Sequence, residues 1–336
     1  MKLRHFTIPI FIPEEACPNR CVFCNQHRIA GAVCAPTIDE VVAKTEQHLQ
    51  TFPANSEVEI GFFGGNFTGI PIEGQKAYLA CVQPFVKSGQ VAGIRISTRP
   101  DYINPEVLEI LKQFHVSTIE LGAQSLDDEV LKLSGRGHNV AEVVKASELI
   151  KENGFQLGLQ MMIGLPGDTA EKSISTAKEI IRLGANCTRI YPTLVIKNTE
   201  LEQHFLAGEY TPLSLDEAVD RVADIVPLFT LADVKILRIG LHPSEGLLDK
   251  TSLVAGPFHV AFGEMVSTEI WNRILDNLVY PNKKRNALTL TVAVGMSNAA
   301  IGHKGKNKTK LLQVFRKVVY TENTDLKGFE YHAHTD

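Results

Sequence analysis

The sequence predicts an α/β protein in which helices cover a parallel sheet. Through the first 194 residues, short apolar segments alternate with longer segments of helical periodicity, and such strand–helix–strand repeats form parallel sheets with right-handed crossovers. Six units of this kind are fewer than the eight of a closed barrel. The glycine-containing and polar motifs follow predicted strands, and open parallel sheets bind ligands at that edge. We therefore expect the functional site at the carboxyl ends of the strands.

The elements of this part follow in a regular order. Thr37 and Glu40 form a capping box for the first helix, and Pro105 begins a later helix. Asn139 caps a longer helix that ends before Gly154. The predicted strands are 7–12, 57–63, 93–97, 117–122, 155–163 and 187–191, and the helices between them are 38–51, 73–87, 105–114, a short helix from 127, 140–152 and one that ends at 183.

The pattern changes after about residue 194. The remaining segments predict an α/β extension packed on the edge of the sheet, with helices at 200–207, 215–228 and 258–275, strands at 234–239 and 288–294, and a final helix and strand within 309–319. We therefore divide the chain into a core (1–194), an extension (195–320) and a polar tail (321–336) that we expect to fray.

Composition limits the classes of function. Of the 336 residues, 44% are hydrophobic and 21% are charged, which is ordinary for a soluble enzyme. The net charge of -4 gives no global bias toward nucleic acid. The N-terminal segment does not predict a signal peptide, and no apolar run reaches membrane-spanning length. The six cysteines predict reduced thiols and metal ligands rather than a disulfide framework, so we expect a cytoplasmic protein.

Three clustered cysteines carry the most specific signal. Cys17, Cys21 and Cys24 have the spacing C-x3-C-x2-C, so their thiolates can converge on one soft metal centre. A cubane iron–sulfur cluster normally takes four thiolates, and Cys34, the next cysteine, lies ten residues further on. Three ligands leave one iron open for chemistry. A zinc site with His27 and a set of buried structural cysteines are the alternatives, but three thiols in one short loop favour the cluster.

This spacing resembles the signature of the radical S-adenosylmethionine (SAM) enzymes. The resemblance implies an open (β/α)6 partial TIM barrel with a C-terminal α/β extension. It also implies a [4Fe–4S] cluster whose open iron is chelated by SAM, and cleavage of SAM to a 5′-deoxyadenosyl radical. Phe23 precedes the last cysteine, where the family has an aromatic residue near the adenine. A reductant such as flavodoxin or ferredoxin is then an expected partner.

The same resemblance implies a set of SAM contacts. Gly64, Gly65 and Asn66 match the glycine-rich motif that binds the methionyl amine, although many members have glutamate at the position of Asn66. Read alone, this segment is a turn, and an arginine before Pro100 can be a surface residue. The other implied contacts, to ribose, carboxylate, adenine or substrate, are Ser97, Arg99, Gln124, Ser125 and Gly164, and Arg136 and His138 are expected on the substrate side.

The resemblance narrows to the radical SAM domain of the Elongator catalytic subunit. It rests on the segments Ser97–Tyr102, Leu121–Ser125 and Ile190–Ile196 and covers about residues 6–275. That family modifies the wobble uridine of tRNA with acetyl-CoA bound by an acetyltransferase domain. This chain departs from the family in its shorter cysteine spacing, and we expect no acetyltransferase domain.

Catalytic and substrate-binding residues are expected outside the SAM motifs. Tyr191 is a candidate catalytic residue from the Elongator-like segment, and His259 and Glu264 are candidates for proton transfer. A histidine satisfied locally at a helix start is the equal alternative for His259. Late basic residues form an expected footprint for an RNA phosphate backbone, or a solvated basic loop: Lys283, Lys284, Arg285, Lys304, Lys306, Lys308 and Lys310.

Three functions are consistent with these observations. The first is a radical SAM enzyme that acts on tRNA or another RNA. The second is radical chemistry on a small molecule, as in the oxygen-independent coproporphyrinogen oxidases, which have similar Gly-Gly and Gln-Ser motifs. The third is a non-catalytic iron–sulfur protein that binds RNA. Release of 5′-deoxyadenosine from SAM separates the first two from the third.

Overall fold

The main sheet has seven parallel strands in the order β1-β2-β3-β4-β5-β6-β8 and curls into a half-barrel. The computed structural model describes residues 4–13, 17, 21–25, 34–279 and 285–336. Each of the first six strands pairs with the next strand in sequence, as expected for right-handed strand–helix units. The strands are β1 (Arg4–Ile12), β2 (Ser56–Gly64), β3 (Gly93–Thr98), β4 (Val116–Gln124), β5 (Gln156–Ile163), β6 (Cys187–Pro192) and β8 (Lys235–Ile239).

Helices cover the outer face of this sheet. The predicted capping box at Thr37 with Glu40 is present, and the predicted cap Asn139 forms a second box with Glu142. The predicted helix 73–87 is instead two helices, because Pro84 lacks the N–H that a continuous helix needs. The helices are α1 (Ile38–Thr51), α2 (Ile72–Cys81), α3 (Gln83–Lys87), α4 (Pro105–Gln113), α5 (Asp128–Leu133), α6 (Val140–Glu152), α7 (Ala170–Arg182), α8 (Glu200–Leu206) and α9 (Leu215–Leu231).

The seventh strand extends the predicted sheet. The segment Lys235–Ile239, which the sequence assigned to the extension, pairs in parallel with β6 and follows the long helix α9. The α/β fold class with an open partial barrel is confirmed, with one strand more than the six predicted. A strand pattern does not specify which sheet the strand joins, because edge pairing is a tertiary interaction. The division of the chain at residue 194 stays a prediction.

The C-terminal part forms a second, smaller sheet in the order β11-β10-β12. Its core contains the fully buried Trp271. The expected frayed tail contains a strand instead, because β12 pairs antiparallel with β10 and Tyr331 packs against Trp271 with ring centroids 6.0 Å apart. The remaining elements are β7 (Val195–Ile196), α10 (Glu245–Leu248), β9 (Leu253–Ala255), α11 (Phe262–Val279), β10 (Arg285–Ala293), α12 (Ser297–Ile301), α13 (Lys306–Leu312), β11 (Phe315–Asn323) and β12 (Tyr331–Thr335).

In the part of the chain that the structure describes, no helix has the length and apolar character needed to cross a lipid bilayer.

Candidate active site

The cysteine segment lies at the carboxyl edge of the main sheet, beyond β1. The Val22 N–H donates to the Ser134 carbonyl over 3.1 Å, and the Val22 carbonyl accepts from the Leu201 N–H over 2.7 Å. The Cys24 N–H donates to the Cys21 carbonyl over 2.9 Å, which closes a tight turn between these two cysteines. The segment is therefore held between the end of α5 and the start of α8.

Two buried arginines lie beside the cysteine sulfurs. Arg136 donates from Nη1 to Cys21 Sγ over 3.2 Å and from Nη2 to the Gly122 carbonyl over 2.6 Å. Burial opposes the charge of Arg99, but Asp101 and the nearby thiols of Cys17 and Cys21 outweigh it and raise the pKa of the guanidinium. Both guanidiniums therefore place positive charge beside these sulfurs.

The other cysteines have different surroundings. Burial raises the pKa of Cys81 and of Cys187 to about 11, so both thiols are protonated at neutral pH. Cys34 is exposed. Within the described residues, no three side chains of histidine, cysteine, aspartate or glutamate are grouped for a metal ion. The assignment of Cys17, Cys21 and Cys24 as cluster ligands therefore stays a prediction, and the two guanidiniums give it a suitable environment.

The glycine-rich segment after β2 joins the ends of three strands. Gly64 has a φ of +128°, and a Cβ there would lie 1.9 Å from the Ile12 carbonyl oxygen, so only glycine fits. The Gly65 N–H donates to the same oxygen over 3.2 Å. Asn66 Oδ1 accepts from Thr98 Oγ1 over 2.6 Å and from the Arg99 N–H over 3.2 Å. The Asn66 amide thus fixes the backbone from which Arg99 extends.

Arg99 has one nitrogen for which the described residues supply no partner. The residue is 1% exposed, and Asp101 accepts from its Nε and Nη2, each over 2.9 Å. Nη1 is buried without a hydrogen bond among the described residues. An unsatisfied buried donor costs roughly 1–3 kcal/mol, and more when it is charged, so this nitrogen indicates a ligand. The nearby thiols of Cys17 and Cys21 help to raise the pKa of this same guanidinium.

Two further buried groups lack partners in the same region. Gln124 ends β4 with a φ of +65°, a strained value for this residue, and its Oε1 makes no hydrogen bond with a described residue. By distance and angle neither ring nitrogen of His138 makes one either, although the Ala123 backbone lies close to the ring. Burial, together with the guanidiniums of Arg136 and Arg99, lowers the pKa of His138 to about 3, so the ring is neutral. Unsatisfied groups thus follow β3 and β4.

The remaining predicted SAM contacts have local partners. Ser97 Oγ accepts from Gln160 Nε2 over 3.1 Å. Gly164 has a φ of +72°, and its N–H donates to Asp168 Oδ2 over 2.7 Å. Phe23 is buried in an apolar cluster with Val22, Val130, Leu165 and Leu201, so it packs against the loop that follows β5. On another side this loop lines a cavity of about 360 Å³ with His204, Tyr210 and Leu213.

The concave face of the sheet carries a buried ion-pair network that the sequence interpretation missed. Glu120 accepts from Arg95 Nη1 over 2.9 Å and from Arg189 Nε over 2.6 Å. Burial raises the pKa of Glu120, but the two arginines outweigh burial and hold it below its ordinary value. Glu59 pairs with Arg95 over 2.8 Å and with His5 over 2.6 Å. The sequence does carry a signal for this network, because charged residues occur inside predicted strands that are otherwise apolar.

The candidate catalytic residues lie in two different places. Tyr191 is partly buried two residues beyond Arg189 on β6, and burial raises the pKa of its hydroxyl while Arg189 opposes the shift. His259 Nδ1 accepts from the Ala261 N–H over 3.0 Å at the start of α11. This contact agrees with the alternative to proton transfer, a histidine satisfied locally at a helix start. Glu264 is exposed and contacts His303 Nδ1 over 3.0 Å. The contacts described for His259 and Glu264 do not include the cysteine segment, and all three roles stay predictions.

The late basic residues are not equivalent. Lys306 pairs with Glu269 over 3.4 Å, and Lys310 pairs with Asp276. Lys304 and Lys308 are exposed and form no ion pair with a described residue. Arg285 stacks over Phe315. Two further residues of the predicted basic footprint, Lys283 and Lys284, lie outside the described residues.

Sequence comparisons identify the family. A sequence model of the Radical SAM superfamily matches residues 11–180, and one of the Radical_SAM C-terminal domain matches residues 185–272. The chain belongs to the radical SAM superfamily. This membership confirms the predicted family and makes the chain a radical SAM enzyme, and the family implies a [4Fe–4S] cluster and SAM.

The chain is also homologous to the Elongator catalytic subunits. It is 30% identical over 237 residues to an uncharacterized protein of Methanocaldococcus jannaschii, which covers 67% of this chain and 72% of the relative. It is 27% identical to the tRNA uridine(34) acetyltransferase of Dehalococcoides mccartyi, covering 63% of this chain and 54% of the relative. For Elongator complex protein 3 of Saccharomyces cerevisiae the identity is 29%, over 56% of this chain and 38% of the relative.

The fold likeness agrees with the sequence relation. An N-terminally truncated archaeal Elp3 of Methanocaldococcus infernus superposes with a TM-score of 0.65 at 23% identity. The match covers 82% of this chain and 64% of that one. The chain spans about half the length, or less, of the relatives named as acetyltransferases. It shares the architecture of their radical SAM region.

Proposed function

We propose that this radical SAM enzyme cleaves SAM reductively to a 5′-deoxyadenosyl radical and acts on tRNA or another RNA. The observation that carries the first part is the unsatisfied Nη1 of Arg99, buried beside the thiols of Cys17 and Cys21. A [4Fe–4S] cluster bound with SAM supplies the one-electron cleavage that releases the radical.

The chain's own residues divide the binding between them. Cys17, Cys21 and Cys24 hold the cluster, and Arg136 donates to one of these sulfurs. Asp101 fixes one edge of Arg99, so Nη1 presents a charge-assisted donor to the carboxylate of SAM. Gln124 Oε1 is an acceptor for a hydroxyl or amino group of SAM. The close approach at Gly64 leaves the strand end without a side chain that would obstruct the ligand.

The RNA part of the proposal rests on two observations. Relatives at 27–29% identity are named tRNA uridine(34) acetyltransferases. Lys304 and Lys308 are exposed without an ion pair among the described residues, so they are available to contact phosphates. Because the alignments span only part of those relatives, we propose radical chemistry for this chain and do not extend the proposal to acetyl transfer.

The SAM reaction is tested with anaerobically reconstituted protein. Incubation with dithionite and SAM should release 5′-deoxyadenosine, measured by liquid chromatography. Absence of release from protein with a full cluster content would contradict the proposed cleavage.

The substrate class is tested by mass spectrometry of tRNA nucleosides from cells with and without the protein. Identical nucleoside profiles would favour the small-molecule alternative.

The two pairs of lysines offer a matched test of RNA binding. Replacing Lys304 and Lys308 by alanine should weaken tRNA binding and flatten its log–log salt dependence by roughly one unit for each phosphate that is no longer neutralised. Replacing Lys306 and Lys310, which already pair with acidic residues, should have the smaller effect. Equal effects of both pairs, or no effect of either, would remove this support for RNA.

A further inference from the structure

Arg238 lies on the concave face of the half-barrel beside the ion-pair network. In the ladder between β6 and β8, Arg238 is the partner of Arg189, and partnered residues of neighbouring strands point to the same face. The Arg189 guanidinium lies on the concave face, where it contacts Glu120 and the Phe63 ring, whose centroid is 4.9 Å away. The next residue, Ile239, packs with the apolar core on the other face.

Arg238 differs from the other two arginines of this face in its partners. Arg95 and Arg189 both pair with carboxylates. Arg238 donates from Nε to the Gly240 carbonyl over 2.9 Å and from Nη2 to the Leu241 carbonyl over 3.0 Å. No carboxylate of the described residues pairs with it, and its Nη1 makes no hydrogen bond with them. One edge of the guanidinium is therefore fixed, and the other is available to a ligand.

The surroundings favour an anion at this position. Burial lowers the pKa of Arg238, Tyr191 opposes this shift, and the charge of Arg189 adds a smaller lowering. Among the described strand residues of this network, three guanidiniums face only two carboxylates, so one positive charge is uncompensated. A preorganised guanidinium binds phosphate and carboxylate oxygens well, and Tyr191, also beside Arg189, carries a hydroxyl that can donate a further hydrogen bond.

We propose that Arg238, together with Tyr191, forms an anion-binding subsite that holds a phosphate of the nucleotide on which the enzyme acts. The subsite rests on the proposed RNA substrate and adds to it a specificity residue inside the barrel. This subsite is separate from the lysines of α13 and from Lys304 in the turn that precedes α13. Those lysines bind the RNA backbone from outside, whereas Arg238 selects a phosphorylated nucleotide at the carboxyl edge of β8.

The first experiment compares Arg238→Gln with Arg182→Gln. Both substitutions remove one guanidinium, but Arg182 lies exposed on α7. Arg238→Gln should weaken binding of an RNA stem-loop by about tenfold or more, the effect of a hydrogen bond to a charged group, and reduce the salt slope by about one. SAM cleavage without RNA should equal that of the parent. The parent's affinity and salt slope in Arg238→Gln would overturn the subsite.

Arg238→Lys separates phosphate binding from a structural role. Lysine keeps the charge but cannot reproduce both hydrogen bonds to the carbonyls of Gly240 and Leu241. It should therefore retain the salt slope and recover part of the affinity. An affinity in Arg238→Lys as weak as that in Arg238→Gln would mean that the arginine only holds the end of β8, and the proposal would fail.

A small-ligand experiment keeps this result separate from the RNA proposal. If the parent binds no RNA, the substrate class is wrong, and uridine 5′-monophosphate is compared with uridine by calorimetry. Tighter binding of the monophosphate, abolished in Arg238→Gln and kept in Arg182→Gln, supports the subsite. Equal binding of the nucleotide and the nucleoside to the parent overturns it.

Discussion

Two groups of arginines in this half-barrel have opposite surroundings. Inside the concave face, Arg95 and Arg189 share Glu120, and the carboxylate accepts hydrogen bonds from both. At the carboxyl edge, Arg99 keeps one buried nitrogen without a described partner, and Arg136 donates to a cysteine sulfur. A buried charge that keeps its partner avoids the cost of an uncompensated ion, whereas a buried donor without a partner lowers stability until a ligand binds it. The comparison distinguishes the scaffold from the binding site.

The largest expected effect separates the three clustered cysteines from the other thiols. Replacing Cys17, Cys21 or Cys24 by alanine should abolish the iron–sulfur cluster, because thiolates ligate the irons. Cys81→Ala should leave it intact, because that thiol has a pKa of about 11 and lies apart from the arginines. The measurement is iron and sulfide content with visible absorbance after anaerobic reconstitution. A full cluster in any of the three variants would refute the ligand set.

The contribution of the ion-pair network to stability is tested at Glu120. Glu120→Gln leaves the buried Arg95 and the partly buried Arg189 with too little negative charge, so the free energy of unfolding should fall by about 3–5 kcal/mol, measured by urea denaturation. Glu179→Gln, which breaks an exposed pair with Arg182, is the matched control and should change stability little. Equal effects of the two substitutions would mean that the buried network contributes no more than a surface pair.

Glu120 also predicts the direction of a pH dependence. Its folded-state pKa lies below the unfolded value, which is about 4.3 for glutamate. The unfolded state therefore binds more protons, so the Glu120 contribution is present above pH ~4.3 and is lost as the pH falls toward the folded-state pKa. Urea denaturation between neutral and acidic pH should show a shallower acid loss in Glu120→Gln than in the parent. Parallel curves would contradict this assignment.

The proposed ligand-binding role of the arginines at the carboxyl edge is tested at Arg99. In reconstituted protein, Arg99→Gln should weaken SAM binding by roughly 1.5–3 kcal/mol, the range for a hydrogen bond to a charged group. Calorimetry measures the affinity, and the cluster content serves as the control for an intact site. An unchanged SAM affinity would remove Arg99 from the site and would leave its buried nitrogen without an explanation.

The smallest expected effect concerns Arg136 and the cluster potential. Hydrogen bonds to cluster sulfurs set reduction potentials, so Arg136→Met should shift the midpoint to a more negative value by removing the donor 3.2 Å from Cys21 Sγ. A redox titration followed by electron paramagnetic resonance measures this shift. Arg136→Lys keeps the charge and should shift the midpoint less. A midpoint equal to that of the parent in the methionine variant would make Arg136 a purely structural residue.

Features that depend on local chemistry could be predicted from the sequence. The capping boxes at Thr37 and Asn139 are present because each needs only residues three positions apart. Alternating apolar and helical segments identified the six central strand–helix units because burial in a parallel sheet imposes that pattern. The spacing of Cys17, Cys21 and Cys24 identified the superfamily, because one loop holds all three predicted ligands.

Features that depend on pairing between distant segments became visible only in the folded chain. The placement of β8 beside β6 and of β12 beside β10 follows from edge hydrogen bonds, which leave no mark in a short strand's composition. Asn66 has the residue type of a ligand contact, but its oxygen is used by Thr98 and Arg99. Glu120 is a single charge in an apolar strand, and its partners lie on β3 and β6. Whether such a side chain stabilises the fold or binds a ligand depends on which neighbours the fold brings within hydrogen-bond distance.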